Sequence, residues 1–419
     1  MNGLHLIGDL TGCRCDPQLL LDGERFRARC LEMVTGSGLT TMDSTFHTFD
    51  GGGFTGTVVL AESHLAIHTW PERQGLTLDV YVCNYSADNS AKARTLFDAI
   101  IADFDPAEIA RQEVSRGEHL IMESLNESTG FHIRATRKLG EWQTKFQKME
   151  IYETPHYGRI FRLDGYNMTS EREEFVYHEN LIHPALTAHA APRKVLIIGG
   201  GDGGSSEETL KHPSVEQVTM CEIDEDVVKI AKEHFFAVHR GAFDNPRLRV
   251  LIGDGTKFIR ETQERFDLIA LDLNDPTGPA EALYSTDFFH QCRTALAPGG
   301  ALVLHMGAPV ARPERVAEIS QRLNGVFRIV RPYTMYIPLY GAQWAMAVCS
   351  DKLDPKALTA DEIDRRIEAR RLQDLRFYNG ETHEGVFALP NFIRDLVNPP
   401  RLKQQTRGRR LGVVQAVAK

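Results

Sequence analysis

Apolar and polar positions along this chain follow two rhythms. Gly3 to Leu10 reads as a strand, whereas Pro17 to Val34 places Leu19, Leu20, Phe26, Cys30, Leu31 and Val34 at helical spacing. Strand-like runs follow at Thr41–Phe49 and Phe54–Leu60, separated by the turn signal Gly51-Gly52-Gly53. Leu76 to Cys83 alternates at period two, as a strand with one covered face does. A helix is expected from Asp88 to about Phe104, with Asp88 or Asn89 as its cap. Residues 1–118 therefore form a first unit of alternating strands and helices. Residues 119–140 lack a clear apolar period and contain the loop-like run Asn126-Glu127-Ser128-Thr129-Gly130, which predicts a linker. Short strands at Lys148–Thr154 and Gly158–Leu163 predict a small β domain over 141–192. A long βαβ rhythm begins at Lys194 and occupies 193–398. The stretch 399–419 is Pro-, Arg- and Gln-rich and is expected to be a basic, solvated, disordered tail.

Composition narrows the class of protein. A chain of 419 residues calls for two or three domains. The net charge of −9 argues against a nucleic-acid partner, which needs a concentrated basic surface. No apolar run has the length that crosses a bilayer, and Met1-Asn2-Gly3-Leu4-His5 lacks the basic-then-apolar order of a secretory signal, so no membrane partner is expected. Seven cysteines, an odd number, point to reduced thiols and a cytoplasmic location. Cys13 and Cys15 form a C-x-C pair, but no second pair or histidine completes four ligands, so no metal is expected.

The chemistry of the first unit centres on Ala61-Glu62-Ser63-His64-Leu65-Ala66-Ile67-His68-Thr69-Trp70-Pro71-Glu72. A serine between a glutamate and a histidine suggests a hydrolase, yet the Gly-x-Ser-x-Gly elbow is missing. The run resembles the self-cleavage site of bacterial S-adenosylmethionine decarboxylase proenzymes, and the resemblance extends over nearly all of residues 1–118. It implies that the chain is cut between Glu62 and Ser63 and that Ser63 becomes a pyruvoyl cofactor. It also implies that His68 is the base of that processing, that Thr55 supports it, and that Cys83 is the acid that reprotonates the product. Phe49 would stack on adenine and Glu72 would accept from the ribose hydroxyls. Thr55 stands where the family commonly has serine, so the hydroxyl is kept.

In the second unit, Val195-Leu196-Ile197-Ile198 runs into Gly199-Gly200-Gly201-Asp202-Gly203-Gly204, a loop whose glycines let backbone approach a nucleoside. Glu222-Ile223-Asp224 closes the next strand about twenty residues on, where an acid accepts from ribose hydroxyls. Asp254-Gly255 ends a third strand, and Asp272 and Asp275 follow a fourth, at the carboxyl edge where such sheets bind ligands. That pattern suits a methyltransferase-like sheet better than a hydride-transfer enzyme. Residues 145–398 resemble spermidine synthase, including Asp164-Gly165, the run Glu171 to Glu179, the glycine loop and Ile337-Pro338-Leu339-Tyr340. The resemblance implies that Gln147, Asp202, Glu222 and Asp254 bind decarboxylated S-adenosylmethionine. Asp272 would be the general base, assisted by Tyr177, with Asp275 and Tyr340 lining the amine pocket and His178 shaping it.

Three departures from that family together bear on the acceptor: Met168, where the family has a glutamine near the aminopropyl donor, Leu273-Asn274 between the two carboxylates, and His305-Met306-Gly307. Putrescine is the expected acceptor. Together the resemblances imply an α/β protein: an N-terminal two-layer α/β sandwich, then a small β domain and a doubly wound, Rossmann-like sheet. One chain would make the aminopropyl donor from S-adenosylmethionine and consume it, as a homo-oligomer. Two other readings stand beside this one. The first unit could decarboxylate ornithine or arginine to supply the acceptor, or one half could be a non-catalytic partner.

Overall fold

In a computed structural model, which describes residues 3–85, 87–116, 119–275 and 278–398, the period-two runs of the first unit become one antiparallel sheet. Its elements are β1 (Gly3–Thr11), α1 (Gln18–Leu21), α2 (Gly23–Gly36), β2 (Thr41–Thr48), β3 (Phe54–Leu60), β4 (Ser63–Trp70), β5 (Gly75–Cys83), α3 (Ser90–Phe104) and β6 (Glu108–Arg116). The strands lie in the order β2-β3-β4-β5-β1-β6. Leu6, Leu65, Ile67, Leu78 and Val80 turn to one face and bury against Phe26, Cys30 and Val34 of α2 and Leu96, Phe97 and Phe104 of α3. The alternate residues His64, His68 and Trp70 stand on the open face, so the unit has two layers.

Two expectations change here. The single helix from Pro17 to Val34 is broken at Asp22, whose carboxylate accepts from the Glu24 and Arg25 N–H groups and starts α2 afresh. β6 has no apolar alternation to announce it. Backbone pairing with β1, in the register Leu6 opposite Glu113, makes it a strand.

The second unit, Leu120–Lys419, starts where a linker was expected. Instead of a loop, residues 119–140 form β7 (His119–Ser124), β8 (Gly130–Ala135) and the start of β9 (Arg137–Gln143). Each short strand sends only one or two side chains inward, Ile121 from β7 and Ile133 and Ala135 from β8, so no period shows in the sequence. With β9, the strands β10 (Lys148–Thr154), β11 (Gly158–Leu163) and β12 (Tyr166–Ser170) form a four-stranded antiparallel sheet. The buried helix α4 (Glu174–Ala188) follows.

The large sheet then builds from β13 (Lys194–Gly199), α5 (Gly204–Leu210), β14 (Gln217–Glu222), α6 (Glu225–His234), α7 (Phe236–His239), β15 (Leu248–Ile252), α8 (Gly255–Glu261) and β16 (Phe266–Asp272). It is completed by α9 (Thr286–Ala295), β17 (Leu296–Gly307), α10 (Pro313–Val326), β18 (Ile329–Ile337) and β19 (Ala342–Ser350). The order is β15-β14-β13-β16-β17-β19-β18, parallel as far as β17 and antiparallel beyond. Three helices end the described chain: α11 (Ala360–Arg370), α12 (Gly380–Val386) and α13 (Asn391–Val397). The expected tail, 399–419, lies outside the described residues. Among them, no helix is long and apolar enough to cross a membrane. Sheet growth reverses between β13 and β16, where Gly199 pairs with Asp272. A doubly wound sheet opens its ligand crevice at such a point.

Candidate active sites

That crevice holds a cavity of about 420 Å³. Gly199, Gly200, Gly201 and Asp202 from the loop after β13 line it, with Glu222 from β14, Asp254 and Gly255 at the start of α8, and Asp272 and Asp275 after β16. Gln147, Tyr177, His178 and Tyr340 complete the expected set. Gly203 and Gly204 instead shape the turn behind it. A Cβ on Gly204 would lie 2.3 Å from the His178 ring, so only glycine lets α5 pass so close. Gly199 has φ +80° and faces the Asp272 carbonyl at a distance no side chain could share.

Asp272 is the most constrained group. Its Oδ2 accepts from Ser205 Oγ at 2.6 Å, and the Tyr177 hydroxyl also bonds to it. Burial pushes its carboxyl above the usual range, against the pull of His178. Burial also raises the Tyr177 phenol, with Asp272 adding to the effect, so Tyr177 stays a donor. His178 lies between Glu174, 2.9 Å from Nδ1, and Asp202, 3.4 Å from Nε2. Burial opposes its charging, but the two carboxylates carry its pKa well above the ordinary value. The resulting cation outweighs burial at Asp202 and keeps that carboxyl low.

Around the nucleoside end, Glu222 is raised to about 7, chiefly by burial, and its Oε1 accepts from the Asp224 N–H at 2.9 Å. Gln147 is fixed by donating to Asp224 at 3.1 Å. Asp254 caps α8 by accepting from the Thr256 N–H at 2.7 Å. At the other end, Tyr340 donates to the Met168 carbonyl at 2.8 Å, and Asp275 pairs with Arg315. His305, a departure noted in the sequence, has Nε2 2.8 Å from both the Leu273 carbonyl and the Tyr284 hydroxyl. Burial lowers its pKa, so it is a neutral wall of the pocket.

Glu123, Arg312 and Arg315 also line the cavity and were missed. Glu123 was hidden in the expected linker, and Arg312, just before α10, and Arg315 within it carry no motif. Burial raises Glu123 to about 7 although its carboxylate accepts from the Asn167 N–H at 2.8 Å.

In the first unit the expected residues divide into two groups. At one end of the sheet, the Glu62 carbonyl accepts from the Cys83 N–H at 2.8 Å, which ties the residue before the expected cut to the end of β5. Ser63, the first residue of β4, has φ +144°, a region that side-chain-bearing residues rarely occupy. At the other end, Thr55 Oγ1 and His68 Nδ1 are 2.7 Å apart across β3 and β4. Phe49 and Glu72 lie on the exposed segments that flank that end. His68 is five residues from Ser63 on one extended strand, roughly 16 Å at the usual rise. A single copy therefore does not bring Ser63 and His68 together.

Known proteins align with both units. The S-adenosylmethionine decarboxylase family matches residues 4–117. The spermidine synthase tetramerisation domain matches 121–171, and the spermine/spermidine synthase domain matches 174–360. The polyamine aminopropyltransferase of Nitrosomonas europaea is 46% identical over 287 residues, which is 68% of this chain and 88% of that protein. Polyamine aminopropyltransferase 2 of Hyperthermus butylicus is 43% identical over 260 residues, 62% of this chain and 85% of that one. A crystal structure of spermidine synthase in complex with the transition-state analogue AdoDATO superposes with a TM-score of 0.63 at 33% identity, covering 67% of this chain and 94% of that one. The chain thus belongs to the polyamine aminopropyltransferase family and carries an S-adenosylmethionine decarboxylase domain ahead of it, as a bifunctional enzyme of polyamine biosynthesis.

Proposed function

We propose that the first unit cuts itself at Glu62-Ser63 to acquire a pyruvoyl group and decarboxylates S-adenosylmethionine, and that the second unit transfers the aminopropyl group to putrescine. The reading of the first unit rests on the positive φ of Ser63 beside a Glu62 carbonyl held by the Cys83 N–H. In that geometry the Ser63 hydroxyl adds to the Glu62 carbonyl. A C–O bond replaces the C–N bond, and the hydroxyl proton ends on the Ser63 nitrogen. The Cys83 N–H stabilises the charge that develops on the carbonyl oxygen. His68 then removes the Ser63 α-proton, eliminating the Glu62 carboxylate. Hydrolysis of the resulting dehydroalanine releases ammonia and leaves the pyruvoyl group. When present, that group supplies the electron sink for loss of carbon dioxide. The Cys83 thiol returns a proton to the product carbon. Phe49 and Glu72 receive the adenosine.

His68, Thr55, Phe49 and Glu72 sit at one end of the sheet and Ser63 and Cys83 at the other. The site is accordingly completed by a second copy, and the chain is a homo-oligomer. All seven cysteines are free, which suits the reducing cytoplasm.

The reading of the second unit rests on Asp272, buried against Tyr177 and Ser205 at the mouth of the sheet. Asp272 accepts a proton from the acceptor amine, whose lone pair attacks the methylene carbon next to the donor sulfonium. The C–S bond breaks, leaving 5'-methylthioadenosine and spermidine. Asp202, kept ionised by His178, holds the donor's terminal ammonium. Glu222 and Gln147 take the ribose end, and Asp254 takes the adenine amino group. Asp275 and Tyr340 line the acceptor side. Incubating purified protein with S-adenosylmethionine and a panel of amines, with products identified by mass, tests both halves together. Carbon dioxide release and spermidine from putrescine are expected. A product from another amine only would overturn the acceptor, and carbon dioxide release from ornithine or arginine only would overturn the donor.

A further inference from the structure

Asn89 stands at the N-cap of α3, yet it does not act as a cap. A cap residue ordinarily has an extended backbone and a side-chain oxygen that accepts from the first turn. Asn89 has φ −95° and ψ 4°, and its side chain makes no capping bond. The Ser90 N–H is served by Asp88 instead, at 2.9 Å. Asn89 is 5% exposed, and its side chain is engaged elsewhere. Its Nδ2 donates to Glu62 Oε2 at 2.6 Å and reaches the Cys83 carbonyl at 3.4 Å. Two further bonds fix its orientation. Lys92 Nζ donates to Oδ1 at 3.0 Å, which settles which end of the amide faces Glu62. The Asn89 N–H donates to Asn84 Oδ1 at 2.9 Å.

Glu62, the residue before the expected cut, is therefore held at both its carbonyl and its carboxylate. The Cys83 N–H holds its carbonyl and the Asn89 amide holds its carboxylate. With its carbonyl and carboxylate both bonded, Glu62 holds the peptide plane to Ser63 in the orientation that accompanies the +144° φ of that serine. We infer that Asn89 is a positioning residue for self-cleavage, holding Glu62 so that its carbonyl carbon stays in reach of the Ser63 hydroxyl. The inference rests on the self-cleavage reading above. Asn89 touches neither reacting atom and acts through Glu62.

The test follows maturation of the full chain on denaturing gels and by mass. Asn89→Ala is expected to slow cleavage on the order of 10- to 100-fold, the effect of a small misplacement of reacting groups. Folding is compared in the uncleavable Ser63→Ala background, where Asn89→Ala should keep one cooperative melt of the first unit. Asn89→Asp supplies the readout that a purely structural role would not move. Near neutral pH its carboxylate, drawn to the Lys92 ammonium, faces the Glu62 carboxylate with Asp88 close by, and cleavage is slow. As pH falls from about 8 to about 5 the new carboxyl begins to gain a proton, donates to Glu62 and recovers part of the rate. Wild-type cleavage rates in Asn89→Ala would overturn the inference. So would a rate loss accompanied by loss of the cooperative melt, or an Asn89→Asp rate that does not rise on acidification. A wild-type chain that never cleaves would instead sink the self-cleavage reading itself, and the two failures are told apart on the same gel.

Discussion

As the proposed base, Asp272 must be ionised to take a proton, and burial raises its pKa in the folded chain. Aminopropyl transfer should therefore fall as pH drops through a value above the usual carboxylate range. Asp272→Asn should lower the rate on the order of 10² to 10⁴ and erase that acid limb. Unchanged rates in the variant would remove Asp272 from its role. Glu123 has a different signature because it sits in the wall and not at the reacting atoms. Raised to about 7, it is largely ionised only above that pH, where a carboxylate in the cavity wall should attract a cationic acceptor. KM for the amine should fall as pH rises through about 7, and Glu123→Gln should flatten that dependence while leaving kcat nearly unchanged. A KM profile identical in the two proteins would place Glu123 outside the acceptor's field.

Elements announced themselves in the sequence where one face was buried. Val195 to Ile198 and Leu76 to Cys83 were legible because every inward position had to be apolar. β6 was not, since its backbone pairs with β1 while its described side chains are exposed. β7 and β8 were not, since one or two buried residues per strand make no rhythm. The helix α5 was placed by its glycines, and their reason is a contact between elements. Gly204→Ala should destabilise the second unit by about 1–3 kcal/mol, because its Cβ would overlap the buried His178 ring. A melting temperature within a degree of wild type, with full activity, would show that the ring can move aside.

For the whole molecule, the two activities should separate. Ser63→Ala should remain a single chain, lose decarboxylation and still transfer aminopropyl groups when decarboxylated S-adenosylmethionine is supplied. Loss of both activities would mean that the units are not independent. If one copy supplies Ser63 and another His68, then Ser63→Ala and His68→Ala chains are each inactive alone. Coexpressed, they should mature in part and recover a fraction of decarboxylase activity. A mixture as inactive as its components would place the whole site within one chain.

The sequence alone indicated the reaction types, through resemblance to two families carried by the run around Glu62-Ser63, the glycine loop and the strand end at Asp272. It also determined the main strands and helices, since burial of one face imposes a period that can be read without the fold. Only the tertiary structure decided which of these residues meet. It placed the Cys83 N–H on the Glu62 carbonyl, left Ser63 and His68 toward opposite ends of one strand, and set the Asn89 amide on the Glu62 carboxylate. It also brought Glu123 and Arg315 into the aminopropyl cavity. Such contacts depend on strand register and sheet order, which couple residues far apart in the chain and leave no mark on their local spacing.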